Sequence, residues 1–233
     1  MGVIGRVALR IDIVFDAVCP WCFIGKHRLE RALAMRPNVV AEIRWRPFLL
    51  NPELPAHGID RQAYLERKFG SNYRIQRIHA AAQQAGQSEG IDFNFDEIAR
   101  MPNSLNAHRL INFAATSDAK FDFATNGDVQ GDVVEALFRA YFIEGRDIGD
   151  ISTLISIATA QGLDAREVDR YLHGNAGILP VETDNARMHR LGVSGVPCYI
   201  FDDRYAIAGA QEAEIIARLL DIACEAEFET SSR

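Results

Sequence analysis

The sequence predicts an α/β fold: a central mixed sheet assembled from both ends of the chain and interrupted by a large all-helical insertion. Three observations carry this. Strand-like alternation occurs near the start, over Val7 to Phe15 and Val39 to Phe48, and again near the end, over Val196 to Phe201 and Tyr205 to Ala208. Between them, from Asp60 to about His173, nearly every apolar pattern has helical period. Neither β-containing end is large enough to bury a core alone, so the two ends are expected to share one sheet. The expected division is 1–56 with 178–233 for the sheet domain and 57–177 for the helical insertion.

The elements follow in order. Val7, Leu9, Ile11, Ile13 and Phe15 alternate with other residues, and Val14 joins them, so this strand is expected to be covered on both faces near its end. Asp16-Ala17-Val18 turns the chain. Pro20 suits the first turn of a helix, where a missing N–H costs nothing. Phe23, Ile24, His27, Leu29, Leu33 and Ala34 carry that helix to Arg36-Pro37-Asn38. Candidate helices in the insertion are Arg61 to Phe69, Tyr73 to Ala85, Leu105 to Thr116, Val129 to Glu144, Ser152 to Gln161 and Arg166 to Leu172. Gly86, Gly90, Pro102, Gly127, Gly145, Gly149, Gly162 and Gly174 punctuate them. Asp164, with Glu167 three residues on, reads as a helix N-cap. Asp202-Asp203-Arg204 reads as a hairpin turn. Gln211 to Cys224 forms a closing amphipathic helix, and the acidic, Ser-rich stretch after Glu225 is expected to fray.

Composition narrows the function classes. Of 233 residues, 48% are hydrophobic and 24% charged, the profile of an ordinary globular protein. The net charge of −7 offers no basic excess for phosphates, which argues against nucleic acid or an anionic membrane as partner. No run of about 18 apolar residues is present. Arg6, Arg10 and Asp12 interrupt the first apolar stretch, so no export signal is read and a cytoplasmic location is expected. The four cysteines are Cys19, Cys22, Cys198 and Cys224, too few for a disulfide framework in a chain of this length.

Cys19-Pro20-Trp21-Cys22 carries the chemistry. Thiol–disulfide exchange needs a thiolate and a second thiol to resolve the mixed disulfide. Cys19 falls where the first strand gives way to the helix, and unpaired N–H groups and the helix dipole there favour an anion. Cys22 lies one turn in and is expected to face the core. Cys19 is therefore read as the attacking thiol and Cys22 as the resolving one. A structural zinc site would need two more ligands of similar spacing; His27 is near, but no second Cys or His pair follows. A C-x-x-C beside a βαβ pattern reads as thioredoxin-like. No metal and no cofactor beyond the redox-active pair itself are expected.

The segment Phe15-Asp16-Ala17-Val18-Cys19-Pro20-Trp21-Cys22-Phe23-Ile24-Gly25-Lys26 resembles the active-site segment of the DsbA family of thiol–disulfide oxidoreductases, and particularly its FrnE-like branch. Arg46 to Pro52, Asn103 to Leu110, Gly192 to Pro197 and Gly209-Ala210-Gln211 agree in the same order, so the likeness spans nearly the whole chain. It implies a thioredoxin-like fold and a dithiol or disulfide substrate, peptide or small thiol, with glutathione left open. It also implies a cis peptide before Pro197, with Val196 flanking the Cys19 sulfur, and makes Pro20, Trp21, Val196 and Pro197 candidate substrate contacts. The superfamily includes kappa-class glutathione transferases and 2-hydroxychromene-2-carboxylate isomerases. These look similar in architecture but typically hold Ser at the position of Cys19 and lack a partner cysteine at the position of Cys22. A glutathione-dependent isomerase or transferase is therefore the alternative function. Related folds are often dimers, which leaves a homodimer open by analogy.

Trp21 adds apolar surface beside the sulfur but no positive charge. Lys26 is expected on a solvated helix face and His27 in packing. Asn103, His108 and Arg109 form the best polar cluster of the insertion, with two readings. They contact substrate, Arg109 pairing with an anion, or Ser104 or Asn103 caps the helix and Arg109 is structural. Cys198 follows Pro197 directly; strand alternation points it into the core as a small hydrophobe. Cys224 is read as core on the last helix.

Overall fold

The computed structural model describes residues 7–116 and 129–231; the first six residues and Gly127 lie outside it. Its main sheet has four strands in the order β2-β1-β5-β6. β1 (Val7–Phe15) pairs parallel to β2 (Val39–Pro47), with Phe15 opposite Pro47. On its other side β1 pairs antiparallel to β5 (Cys198–Phe201), with Ile13 opposite Tyr199. β6 (Tyr205–Ala208) folds back on β5 through Asp202 and Asp203, both at positive φ (48° and 56°). Short polar Asp tolerates this left-handed turn better than most residues. The ends of the chain thus build one mixed sheet.

Helix α1 (Pro20–Ala34) connects β1 to β2 and packs against the closing helix α9 (Ala213–Ser231). Residues 59–190 hold a short strand pair and most of the helices. β3 (Ile59–Asp60) pairs antiparallel with β4 (Arg100–Met101), a small sheet that the helical pattern concealed. The helices here are α2 (Arg61–Phe69), α3 (Asn72–Gln87), α4 (Leu105–Thr116), α5 (Val129–Phe142), α6 (Ile151–Ala160), α7 (Ala165–His173) and α8 (Ile178–Arg190). Asp164 caps α7 as expected, accepting from the N–H groups of Arg166 and Glu167 at 2.9 and 3.0 Å.

Two helices also depart from expectation. α8 has no counterpart in the periodic reading, because only Val181 and Met188 are buried on it and Leu179 is exposed. It packs on β2 and α4, opposite the α1–α9 face. The closing helix runs through Ser231 instead of fraying after Glu225.

The main core lies between the sheet and the helices and is continuous with the helical block. Phe23 of α1 stacks on Phe138 of α5 at 5.0 Å between centroids, and Phe15 of β1 meets Phe138 at 6.1 Å. Aromatic pairs of this kind contribute about 0.5–1.5 kcal/mol each beyond area burial. A smaller core, made of Val14, Phe48, Met188 and Cys198, fills the opposite face under α8. β1 is covered on both sides near its end, as its sequence predicts.

Candidate active site

Cys19 is the N-cap of α1, with extended backbone (φ −99°, ψ 113°), while Pro20 takes the first helical position. Its own N–H donates to the Asp16 carbonyl at 3.0 Å, closing the turn after β1. Among the described residues no side chain, the Cys19 sulfur included, accepts from the first N–H groups of α1, so the positive end of that helix is left uncapped at Cys19. The Cys19 thiol is 3.7 Å from the Val196 carbonyl oxygen, which accepts from it. The Val196–Pro197 peptide is cis. Two segments separated by 177 residues therefore meet at one sulfur.

Cys22 lies beneath Cys19 and is buried. Burial, then a hydrogen bond and electrostatic repulsion from Cys19, push the Cys22 thiol well above its ordinary range. A hydrogen bond from the Asp16 backbone works the other way, and the Asp16 charge adds a smaller upward push. The pair is thus asymmetric. One sulfur sits at a helix cap, and the other is held protonated in the core. Pro20 and Trp21 between them are half-buried.

Asp16 is the polar residue under this turn, fully buried. Its Oδ1 accepts from Val18 N–H at 3.3 Å and its Oδ2 from Leu50 N–H at 2.8 Å, joining the Cys19 turn to the segment after β2. His108 of α4 brings Nε2 to 3.4 Å from Asp16 Oδ1 and packs edge-on to Phe15. The imidazole is 1% exposed, so it faces the core beneath the pair and not an open cleft.

The other insertion residues go elsewhere. Asn103 Oδ1 accepts from Leu105 N–H at 2.9 Å at the start of α4, and its Nδ2 donates to the Leu54 carbonyl at 2.7 Å. Arg109 is buried, and its five N–H groups are all used within the chain. They donate to the carbonyls of Ala176, Leu172, Tyr171 and Gly174 and to Asn106 Oδ1, at 2.5–3.0 Å. The guanidinium also lies over the Tyr171 ring at 5.3 Å. No donor remains for an anion, which is the structural arrangement of the two that the sequence allows.

Lys26 corrects the expectation of a solvated side chain: it is buried, 2.6 Å from Glu30 and 2.9 Å from Glu135 of α5. Burial alone would lower its ammonium, but Glu135 and Glu30 outweigh that and raise it. Burial likewise would raise Glu135, yet His27 and Lys26 bring it down to about 2. His27 is packed as expected, against Phe23 and Glu135, and bonds the Glu89 carbonyl at 3.2 Å. Cys198 is buried, and burial raises its thiol. Cys224 is half-buried against the main core.

An open cavity of about 680 Å³ runs beside the cis-proline segment, lined among others by Leu191, Val193, Val196, Cys198, Ile200 and Gly209. It reaches the residue whose carbonyl touches Cys19. Two residues at the pair escape the sequence reading, Asp16 and Tyr199. A carboxylate directly after a doubly covered strand is the signal that marks Asp16. Alternation with Cys198 marks the side to which Tyr199 points.

Residues 10–221 match the model of the DSBA-like thioredoxin domain, and the chain belongs to that family. Among curated proteins it is 27% identical over 158 residues to the uncharacterized protein YwbO of Bacillus subtilis (strain 168), covering 68% of each chain. Among solved structures it is similar to a probable DsbA oxidoreductase, SCO1869, from Streptomyces coelicolor. The identity is 29% and the TM-score 0.80, covering 92% of this chain and 89% of that one. A 2-hydroxychromene-2-carboxylate isomerase shares the fold at 18% identity and TM-score 0.66, covering 95% and 98%. Among the described residues no helix is long and apolar enough to cross a membrane.

Proposed function

We propose that this protein is a thiol–disulfide oxidoreductase that exchanges electrons with dithiol or disulfide substrates through Cys19 and Cys22. The observation that carries the reading is the asymmetry of the pair: Cys19 at the N-cap of α1, Cys22 protonated and buried behind it. The Cys19 thiolate attacks a substrate disulfide, forming a mixed disulfide and releasing one substrate thiolate. Cys22 then attacks Cys19, the bond from Cys19 to substrate breaks, and the second substrate thiolate leaves. Two electrons pass to the substrate and the Cys19–Cys22 disulfide closes. Oxidation of a substrate dithiol runs the same steps backward.

Val196 gives the reading a substrate contact. Its carbonyl accepts from the Cys19 thiol in the reduced protein. That donor disappears when Cys19 is in a mixed disulfide, which frees the acceptor for a substrate N–H in an extended pairing. The cavity along Val193, Val196 and Ile200 offers apolar surface to the adjoining residues. Pro20, Trp21 and Pro197 complete the proposed contact surface. Asn103 and Arg109 are left out, because their polar groups are spent on the chain itself.

The test is insulin reduction or thiol exchange by the reduced protein, with Cys19→Ser and Cys22→Ser beside it. Cys19→Ser abolishes activity, and Cys22→Ser accumulates a mixed disulfide on Cys19. Failure of the wild-type pair to form a disulfide refutes the reading. Glutathione-dependent turnover of a small molecule that survives Cys22→Ser would instead support the isomerase alternative.

A further inference from the structure

Tyr199 is fully buried, and among the described residues its hydroxyl has no hydrogen-bond partner, the protonated Cys22 thiol included. A buried hydroxyl without a partner is a standing cost, so its position calls for a reason. Packing is not that reason. Phe201, the next residue on the same face of β5, is equally buried and carries no oxygen.

The hydroxyl reaches α1 at Gly25. A Cβ at Gly25 would overlap the Tyr199 oxygen and would also press on Pro197 Cγ at 3.0 Å. Gly25 is three residues beyond Cys22, so the two positions are neighbours on one helix face. Helical Cα–Cβ bonds tilt toward the N-terminus, which directs that face toward Cys22. The absent side chain leaves room for an O–H under the cysteine pair. Burial, then Cys22 and Cys19, hold the Tyr199 phenol well above its ordinary range, so it keeps its proton and can only donate to an anion.

We propose that the Tyr199 hydroxyl is the internal hydrogen-bond donor to the Cys22 sulfur when that sulfur becomes an anion during resolution of the mixed disulfide. The inference rests on the reading of Cys19 and Cys22 as the redox pair. In that step Cys22 gives its proton to solvent base and its electron pair forms the bond to Cys19 Sγ. The bond between Cys19 and the substrate sulfur breaks, and the substrate leaves as thiolate. With Cys19 bound to substrate, the other groups acting on the Cys22 anion are the Asp16 backbone N–H and the opposing Asp16 charge, to which His108 is paired. Arg28 and Cys198 act on the phenol from α1 and β5. A donor with no other partner lowers the cost of the anion.

The experiment loads Cys19 with a chromogenic aromatic thiol and follows its release by stopped flow against pH. Tyr199→Phe removes one oxygen and keeps the ring. A hydrogen bond to an ion is strong enough that its loss cuts the ionised fraction of Cys22 roughly tenfold below the midpoint. The less stabilised thiolate is a better nucleophile, which returns about half of the logarithmic loss, so release slows about threefold. The midpoint of the profile moves to higher pH. The melting temperature stays level or rises, because an unpartnered buried hydroxyl has gone. A merely structural role would lower the melting temperature and leave the midpoint in place. Release at the wild-type rate with an unmoved midpoint in folded Tyr199→Phe overturns the role of Tyr199. Release from wild type no faster than from Cys22→Ser overturns the redox-pair reading itself, and this proposal with it.

Discussion

Replacing Glu135 with Gln tests how the helical block holds the helix that carries the cysteines. Glu135 lies on α5 and meets Lys26 and His27 of α1. The Lys26 side chain is 9% exposed and that of Glu135 26%. The pair brings Glu135 from its ordinary 4.5 to about 2. A drop of that size corresponds to roughly 3 kcal/mol of stability at neutral pH. The raised Lys26 and His27 are the same contact seen from the other side and add nothing to it. Because the acid is depressed in the folded state, this stability is complete above pH 4.5 and is lost as pH falls toward 2. In Glu135→Gln the buried ammonium keeps only Glu30, whose side chain is 55% exposed. The variant should lose about 2–3 kcal/mol at pH 7. Its deficit should shrink to roughly half or less by pH 3, where wild type has lost most of the contribution too. Urea unfolding followed by circular dichroism at both pH values measures this. Equal midpoints at pH 7, or a deficit that does not change with pH, would refute the reasoning.

Two further predictions address the polar residues near the pair. Arg109→Ala strips four hydrogen bonds from the end of α7 and the turn after it and a fifth from Asn106 of α4, and should cost about 3 kcal/mol or more in the same unfolding assay. Arg109→Lys should recover little of this, because an ammonium cannot reproduce the planar fork; thiol exchange per folded molecule should be unchanged in both. Asp16→Asn removes a charge that raises the Cys22 thiol, though by less than burial does. The midpoint for mixed-disulfide resolution should therefore move to lower pH, the opposite direction from Tyr199→Phe. Unfolding should show a loss of about 1–3 kcal/mol from the weakened buried acceptor.

What was legible in the sequence is local. Alternation over Val7 to Phe15 located β1, and Pro20 fixed the start of α1, so Cys19 could be placed at a strand-to-helix turn from one short segment. The meeting of Val196 with Cys19 came only through the family resemblance, since no local signal joins residues 177 apart. α8 was not legible because its helix buries only Val181 and Met188, which is no stripe. Lys26 was misplaced on a solvated face because its partner Glu135 lies in another helix, 109 residues away by sequence number. Arg109 was ambiguous for a different reason. A guanidinium that binds an anion and one that caps a helix end use the same donors, and only the carbonyls of Tyr171, Leu172, Gly174 and Ala176 decide between them.

The polar groups around the pair do unequal things, and their placement explains why two chemically identical thiols differ. Cys19 meets a helix N-terminus and the Val196 carbonyl. Cys22 meets a desolvating core, the Asp16 charge and the neighbouring Cys19, all of which favour the protonated thiol. A pair built from these alone would attack readily and resolve slowly. The Asp16 backbone N–H is one counterweight, and the Tyr199 hydroxyl, packed where Gly25 has no side chain, is positioned as the second. Tyr199 comes from β5, beside the cis-proline segment that also touches Cys19. One strand end would then serve both steps, through Val196 at the attacking sulfur and Tyr199 at the resolving one. The opposite pH shifts expected for Asp16→Asn and Tyr199→Phe separate that arrangement from a site in which burial alone sets the behaviour of Cys22.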